Sequence, residues 1–251
     1  MLILGVDVGG SGIKGAIVDT VTGTLVSDRY RIETPLPATP DAIALTLAQM
    51  VNHFEWSGPV GCGFPAAIQQ GVARTASNIS PLFMGTNIDK LFSIFTKCPC
   101  FCLNDADAAG MAEIHFGAGL EQSGVVLLIT IGTGLGTAIF SDGKLIPNTE
   151  LGNLIMKNGK NAEQYASDAT RKAEGLSWKR WGKRFNKYVN LMEKLFWPDL
   201  ILLGGGASNN FDKYKAQITT KTVVKPAAFL NQAGIVGAAL YAESKSLQGI
   251  K

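Results

Sequence analysis

The chain has 251 residues, of which 46% are hydrophobic, and a formal net charge of +3. This size allows one large domain or two small lobes with a real core, and the small net charge argues against a general nucleic-acid binder. The longest apolar run, residues 124–131, is too short to span a bilayer, and no signal peptide is evident, so we expect a cytoplasmic protein without a membrane partner.

The first predicted elements are strands. Residues 2–33 predict three consecutive strands, joined by the turns GGSG and TVTG. Residues 40–54 have apolar positions at helical spacing and predict a helix. Two buried strands are predicted within residues 59–68 and 99–105, and a helix follows over residues 106–116.

Four cysteines are too few for a disulfide scaffold. Cys98, Cys100 and Cys102 alternate as one face of a strand would. A zinc site there would need a fourth ligand nearby. Buried strand cysteines are therefore the favoured interpretation, and no structural zinc is expected.

The opening pattern recurs later in the chain. Residues 124–146 again read as apolar strand, Gly-rich turn, strand, turn and strand. So distant a repeat indicates two similar α/β lobes rather than a solenoid. The remaining predicted elements are helices over 162–196, strands within 199–206 and 220–226, and a final helix over 231–244.

Three Gly-rich turns, DVGGSG, IGTGLG and LLGGGAS, each follow an apolar strand. The first has neither P-loop spacing nor the helix that follows a dinucleotide fingerprint. Such a turn is expected to aim backbone N–H groups at an anion, with glycine permitting the positive φ angles and the close approach that this arrangement requires. One alone would usually be structural, but three at strand ends favour a phosphate-chain site. The phosphate-donor candidates are Asp7, Gly9, Gly10, Ser11, Gly12, Lys14, Gly132, Thr133, Gly134, Gly136, Gly204, Gly205 and Gly206.

The motifs DVGGSGIKG, LNDADAAG, GTGLG, NTELGN and LLGGG, in this order, resemble the sugar kinases of the ROK family. Longer strings, among them GCGFPAAI, RTASNI and NQAGIVGAA, are most similar to its polyphosphate-dependent branch. The resemblance implies two actin-like lobes with a cleft between them, residues 1–107 plus 234–251 and residues 108–233, commonly in a homodimer.

The resemblance also implies a reaction, the transfer of the terminal phosphate of inorganic polyphosphate to the 6-hydroxyl of glucose. Two alternatives remain open. One is an ATP-dependent hexose kinase of the same family, and the other is a catalytically weak sugar-binding relative. The second is motivated by Asn153, which stands where many members of the family have His.

Site residues follow from these motifs. From the residues alone, Asp105 and Asp107 are each as compatible with capping a helix as with catalysis. The resemblance assigns the base that accepts the sugar proton to Asp105, and it places Asp7 near Mg²⁺ and its waters. The sugar-binding candidates, whose amide or carboxylate groups would orient hydroxyls, are Asn78, Asn104, Glu150, Asn153 and Glu163.

Residues 176–196 predict an amphipathic helix. Its apolar positions, Trp178, Trp181, Phe185, Tyr188 and Met192, are expected to pack inward. The span 171–187 carries seven basic residues and only Glu174 as an acid, which gives about +6 with little nearby charge to offset it. A solvated face is the alternative to a polyanion site. The polyphosphate-binding candidates are Lys179, Arg180, Lys183, Arg184 and Lys187.

Overall fold

A computed structural model describes residues 1–76, 79–156 and 159–248. The chain forms two compact units, one of Met1–Ala112 with Gln232–Lys251 and the other of Glu113–Asn231. None of the helices in the described ranges is both long and apolar enough to cross a bilayer.

The first unit opens with four strands, β1 (Leu2–Val8), β2 (Ile13–Asp19), β3 (Thr24–Leu25) and β4 (Tyr30–Ile32). After them come α1 (Pro40–His53), β5 (Val60–Phe64), the hairpin β6 (Ile68–Gln69) and β7 (Val72–Ala73), a 3-10 turn (Pro81–Phe83), α2 (Ile88–Thr96), β8 (Cys100–Asn104) and α3 (Asp105–Phe116). The division between the two units falls within α3.

The second unit continues with β9 (Val125–Ile131), β10 (Leu135–Ser141), β11 (Lys144–Ile146), a 3-10 turn (Leu151–Asn153), α4 (Ala162–Ala166), α5 (Asp168–Ala173), α6 (Trp178–Phe196) and β12 (Leu200–Gly204). It ends with 3-10 segments (Gly206–Lys213 and Lys215–Gln217) and β13 (Val223–Pro226). A last 3-10 turn (Leu230–Gln232) leads into α7 (Ala233–Gln248), which belongs to the first unit.

The two sheets share one topology. The first has the order β3–β2–β1–β5–β8, with β4 also paired to β2, and the second has the order β11–β10–β9–β12–β13. In each, an antiparallel hairpin is followed by two parallel neighbours. The predicted duplication is therefore confirmed in both strand order and strand direction.

This topology places the motifs at strand ends. In the first sheet, β1 ends before the first Gly-rich turn, and β8, two strands away, ends before Asp105. In the second sheet, β9 and β12 are parallel neighbours that end before the second and third turns. The carboxyl ends of parallel strands lie at one edge of a sheet, where ligands of open α/β sheets bind.

Strand β8 lies at an edge of its sheet, and helix α2 covers that edge with side chains. The N–H of Cys100 donates to Ser93 Oγ at 2.9 Å, and the N–H of Cys102 donates to Asp89 Oδ1 at 2.9 Å. Both thiols are buried, as expected for strand cysteines, and burial raises the pKa of the Cys100 thiol to about 12. Ser93 and Asp89 thus accept hydrogen bonds from backbone donors that this sheet edge would otherwise leave unpaired.

Candidate functional site

The first Gly-rich turn, residues 9–12, connects β1 and β2 beside an ion pair. Asp7 and Lys14 are directly opposite in the hairpin, and Lys14 Nζ lies 3.6 Å from Asp7 Oδ2. The Asp7 side chain keeps 22% of its surface exposed. Burial raises the pKa of Asp7, while the charges of Lys14 and Arg29 oppose that rise. A carboxylate with a nearby cation thus lies at the base of the turn.

The carbonyl groups of this turn are held by side chains from the segment that contains β4. Thr34 Oγ1 donates to the Gly9 carbonyl and Arg31 Nη2 donates to the Ser11 carbonyl, both at 2.6 Å. The Gly9 N–H donates to the Gly12 carbonyl at 3.1 Å, which closes the turn. Within the described residues, the N–H groups of Gly10 and Gly12 have no protein acceptor. The turn therefore has backbone donors without a protein acceptor, and their binding of a phosphate stays a prediction.

Of the two predicted reasons for glycine, a positive φ angle is wrong for the first turn. None of Gly9, Gly10 and Gly12 has a positive φ angle. Close approach, the other predicted reason, does hold at Gly12, because a Cβ atom there would lie 2.5 Å from Arg31 Nε. Arg31 and Thr34 were not predicted as site residues from the sequence. They reach the turn because of the register in which β4 pairs with β2, which residue spacing does not reveal.

The second Gly-rich turn, residues 132–136, receives a carboxylate from α4. The Leu135 N–H donates to Glu163 Oε2 at 3.1 Å, and a Cβ atom on Gly134 would collide with that carboxylate. No glycine of this turn has a positive φ angle either, so here too glycine serves close approach. Glu163, a sugar-binding candidate, therefore also holds the second Gly-rich turn by accepting its hydrogen bond.

The third Gly-rich turn differs from the other two, because Gly205 has a φ of +73°. A Cβ atom on Gly205 would also lie 2.5 Å from the Ile131 carbonyl oxygen. Gly205 therefore packs closely against Ile131. Since Ile131 directly precedes Gly132, the second and third turns lie next to each other within the second unit. That unit joins two of the three predicted phosphate-binding turns.

The sugar-binding candidates of the second unit form a group. Burial raises the pKa of Glu150, and the negative charge of Glu163 raises it further. The N–H of Asn153 donates to the Glu150 carbonyl at 3.1 Å, and the Asn153 side chain is exposed. Thr137 orders this segment, because its hydroxyl donates to the Thr149 carbonyl and accepts from the Leu151 N–H.

The catalytic candidates of the first unit lie where β8 meets α3. Asn104, only 8% exposed, caps the helix, since its Oδ1 accepts from the N–H groups of Ala106 at 2.8 Å and Asp107 at 3.2 Å. Its Nδ2 donates to the Ala66 carbonyl at 3.3 Å. Asp105 is half-buried, whereas Asp107 is 1% exposed. Of the two aspartates, Asp105 is the one that solvent reaches, and the predicted site residue Asn78 lies outside the described residues.

Helix α6 turns its apolar side inward as predicted. Trp181, Phe185, Tyr188 and Met192 are buried in the core of the second unit, and Trp178 packs half-buried against it. On the opposite side, four of the predicted cations are exposed and have no carboxylate partner within the described ranges. These are Lys179, Arg180, Lys183 and Lys187, which we call the α6 basic face.

The expectation that little charge offsets the basic residues is wrong. Arg184 Nη2 pairs with Glu174 at 2.6 Å. Arg171 and Lys172 both pair with Asp168, at 2.6 Å and 2.9 Å. Asp168 lies just outside the span counted in the sequence, and α5 brings it within reach. The candidate polyanion surface is therefore the four-residue α6 basic face without Arg184.

Comparisons with known proteins identify the family of the chain. Residues 3–164 match the ROK family. The chain is 46% identical over 237 residues to the polyphosphate glucokinase of Mycobacterium tuberculosis, across 94% of this chain and 89% of that protein. A similar protein from Mycobacterium leprae, also a polyphosphate glucokinase, is 44% identical over 237 residues.

Solved structures show the same fold. An inorganic polyphosphate/ATP-glucomannokinase from Arthrobacter sp. strain KM superposes with a TM-score of 0.91 at 43% identity, covering 97% of this chain and 99% of that one. A ROK family glucokinase from Streptomyces griseus gives a TM-score of 0.82 at 23% identity, with 97% of this chain covered. The predicted α/β fold with two actin-like lobes is thereby confirmed.

Proposed function

This chain belongs to the ROK family, and from that premise we propose that it transfers the terminal phosphoryl group of inorganic polyphosphate to the 6-hydroxyl of glucose. The observation that carries the proposal is the 46% identity to polyphosphate glucokinases over 94% of the chain. The products are glucose 6-phosphate and a polyphosphate shortened by one unit. A homodimer, implied by the family resemblance, stays a prediction.

Asp105 is the proposed catalytic base. It accepts the proton of the glucose 6-hydroxyl while that oxygen forms a bond to the terminal phosphorus. The bond from this phosphorus to the bridging oxygen breaks, and its electron pair leaves with the shortened chain. Position supports this role, because Asp105 opens α3 at the carboxyl end of β8 and keeps solvent access.

Glucose is held by amide and carboxylate groups in this proposal. Glu150 and Glu163 accept hydrogen bonds from hydroxyls, and Asn104, Asn153 and Asn78 complete the set. The support is the grouping of Glu150, Glu163 and Asn153 in the second unit. Asn104 is already bonded through both ends of its amide, so it has one remaining N–H for a sugar oxygen.

The phosphate end of the donor binds at the Gly-rich turns. The free N–H groups of Gly10 and Gly12 and the charge of Lys14 suit phosphate oxygens. Mg²⁺ fits beside them, because Asp7 offers a partly exposed carboxylate and this cation usually keeps several waters and takes few protein ligands. When bound, Mg²⁺ would neutralise charge on the phosphates.

The donor preference rests on the α6 basic face. From residue 179 to residue 187 the helix rises about 12 Å. A long polyanion gains from every cation along such a face and from released counterions, by analogy with nucleic-acid backbones. The short phosphate tail of a nucleotide gains less. We therefore expect polyphosphate to be used better than ATP.

A matrix of donors and acceptors tests the proposal. Polyphosphate and ATP are each combined with glucose and with mannose, and hexose phosphate is measured in a coupled assay. The expected result is the highest kcat/KM for polyphosphate with glucose. A preference for ATP would establish the ATP-dependent alternative, and absence of product from every pair would leave a sugar-binding relative.

A further inference from the structure

Three charged residues form a row across the first sheet. Asp7 is paired directly opposite Lys14 between β1 and β2, and Lys14 is paired directly opposite Arg31 between β2 and β4. Residues directly opposite one another in antiparallel strands project from the same face. Arg31 therefore lies beside Lys14 at the end of the sheet that carries the first Gly-rich turn.

Arg31 contacts the turn rather than a carboxylate. Its Nη2 donates to the Ser11 carbonyl at 2.6 Å, and its guanidinium lies so close to Gly12 that a Cβ atom there would be 2.8 Å from Cζ. Among the described residues, no carboxylate lies within ion-pair distance of Arg31, whereas Lys14 has Asp7. Two like charges directly opposite one another, here Lys14 and Arg31, are unfavourable. Another interaction must therefore account for the position of Arg31.

The geometry of the planar peptide bond explains what Arg31 does at the turn. In a trans peptide, the carbonyl and the next N–H point in opposite directions. The hydrogen bond of Arg31 to the Ser11 carbonyl therefore fixes the direction of the Gly12 N–H. In the same way, the bond of Thr34 to the Gly9 carbonyl fixes the Gly10 N–H. Within the described residues, these are two of the three N–H groups of the turn that lack a protein acceptor, and the third is that of Ser11.

We propose that Arg31 and Thr34 are positioning residues of the phosphate-donor site. They hold two carbonyl groups on the β4 side of the turn and so present the N–H groups of Gly10 and Gly12 to donor phosphate oxygens. The proposal rests on the proposed function, in that the donor binds at this turn. It applies to polyphosphate and to ATP alike, because both end in the same phosphate chemistry.

Four variants test the proposal. Thr34→Val removes the hydroxyl but keeps the shape, and Arg31→Met removes the guanidinium. Thr34→Ser and Arg31→Lys each keep one donor. KM and kcat are measured for polyphosphate, ATP and glucose, and binding of tripolyphosphate is measured by calorimetry. Lys144→Met, an exposed cation of the second unit, is the matched control.

Thr34→Val and Arg31→Met are expected to raise the KM of each donor about tenfold, roughly the loss of one well-placed hydrogen bond, while the glucose KM changes less than twofold. Thr34→Ser and Arg31→Lys should recover most of the loss. The dependence of polyphosphate kcat/KM on salt should keep its slope in Arg31→Met, since Arg31 touches the turn and not the phosphate.

Unchanged donor KM values and unchanged tripolyphosphate binding in both variants would overturn the proposal. A rise of donor and glucose KM together would also overturn it, by showing a general structural defect. A flatter salt slope in Arg31→Met would make Arg31 a direct phosphate ligand instead. If the wild type uses ATP but not polyphosphate, the proposed function fails, whereas the ATP and tripolyphosphate measurements still decide the roles of Arg31 and Thr34.

Discussion

The negative charge of Glu163 acts on Glu150 in the second unit, where burial and then that charge raise the pKa of Glu150. Glu163 is held in place by the Leu135 N–H at 3.1 Å. Two interacting carboxylates cost folding stability, but in the proposed sugar site they would supply several acceptors for hydroxyls. The proposed sugar site therefore contains a carboxylate whose raised pKa makes folding stability depend on pH.

Glu150→Gln is predicted to stabilise the protein near neutral pH. Since the pKa of Glu150 lies above its usual 4.5 in the folded state, the folded state binds this proton more tightly than the unfolded chain does. Stability is therefore lost as the pH rises above that value. The amide removes this loss, which should be less than about 1 kcal/mol for a pair near the surface.

Chemical denaturation of both proteins between about pH 4 and about pH 8 measures the effect. The gain should shrink as the pH falls, and glucose affinity should drop in the variant. Glu121→Gln, at an exposed position of the same unit, serves as control. A gain of equal size at both ends of the pH range would refute the electrostatic explanation.

Asp105→Asn should abolish most phosphoryl transfer and leave the fold and most glucose binding intact. An amide is nearly isosteric with the carboxylate but does not accept the hydroxyl proton, so a loss in kcat of about 10² to 10⁴-fold is expected. Steady-state rates and glucose binding by calorimetry separate the two effects. Near wild-type turnover in this variant, together with an inactive but folded Asp107→Asn, would transfer the role to Asp107.

Asn153→His should change the KM for glucose more than it changes kcat. Asn153 lies beside Glu150 on an exposed turn, so it is expected to touch hydroxyls away from the reacting oxygen. The measurement is a glucose titration at saturating donor for wild type and variant. An unchanged KM would place Asn153 outside the sugar site.

Neutralising the α6 basic face should weaken the use of polyphosphate. With Lys179, Arg180, Lys183 and Lys187 changed to Gln, kcat/KM for polyphosphate should fall, and its logarithm should depend less steeply on log salt, by roughly 0.7 for each phosphate charge that is no longer neutralised. Activity with ATP should change less. Arg184 is left intact, because its pair with Glu174 supports the fold.

The matched control for this surface replaces four other exposed lysines with Gln, at positions 90, 97, 144 and 221. It removes the same charge without changing a residue of α6. If the control lowers polyphosphate use as much as the α6 variant does, the effect comes from net charge alone. Equal losses with both donors in the α6 variant would also contradict a polyphosphate-specific surface.

The sequence alone determined most of the longer elements and their repetition, but it joined β3 and β4 into one strand and predicted neither α2 nor the β6–β7 hairpin. Alternating and helical apolar patterns predicted β1, β9, α1 and α6 close to their observed bounds. This works because the local spacing of apolar residues reflects which face of an element is buried. The Gly-rich turns and Asp105 were placed at strand ends for the same reason. The inward side of α6 needed no tertiary information.

Only the tertiary structure decided which distant groups meet. Arg31 holds the Ser11 carbonyl, and Asp168 and Glu174 neutralise cations that the sequence left unpaired. Glu113, fully buried, accepts hydrogen bonds from the N–H groups of Ala118, Ala228 and Phe229. Residue spacing carries no signal for such contacts, because they depend on strand register and on how separate segments pack, which the folded chain alone sets.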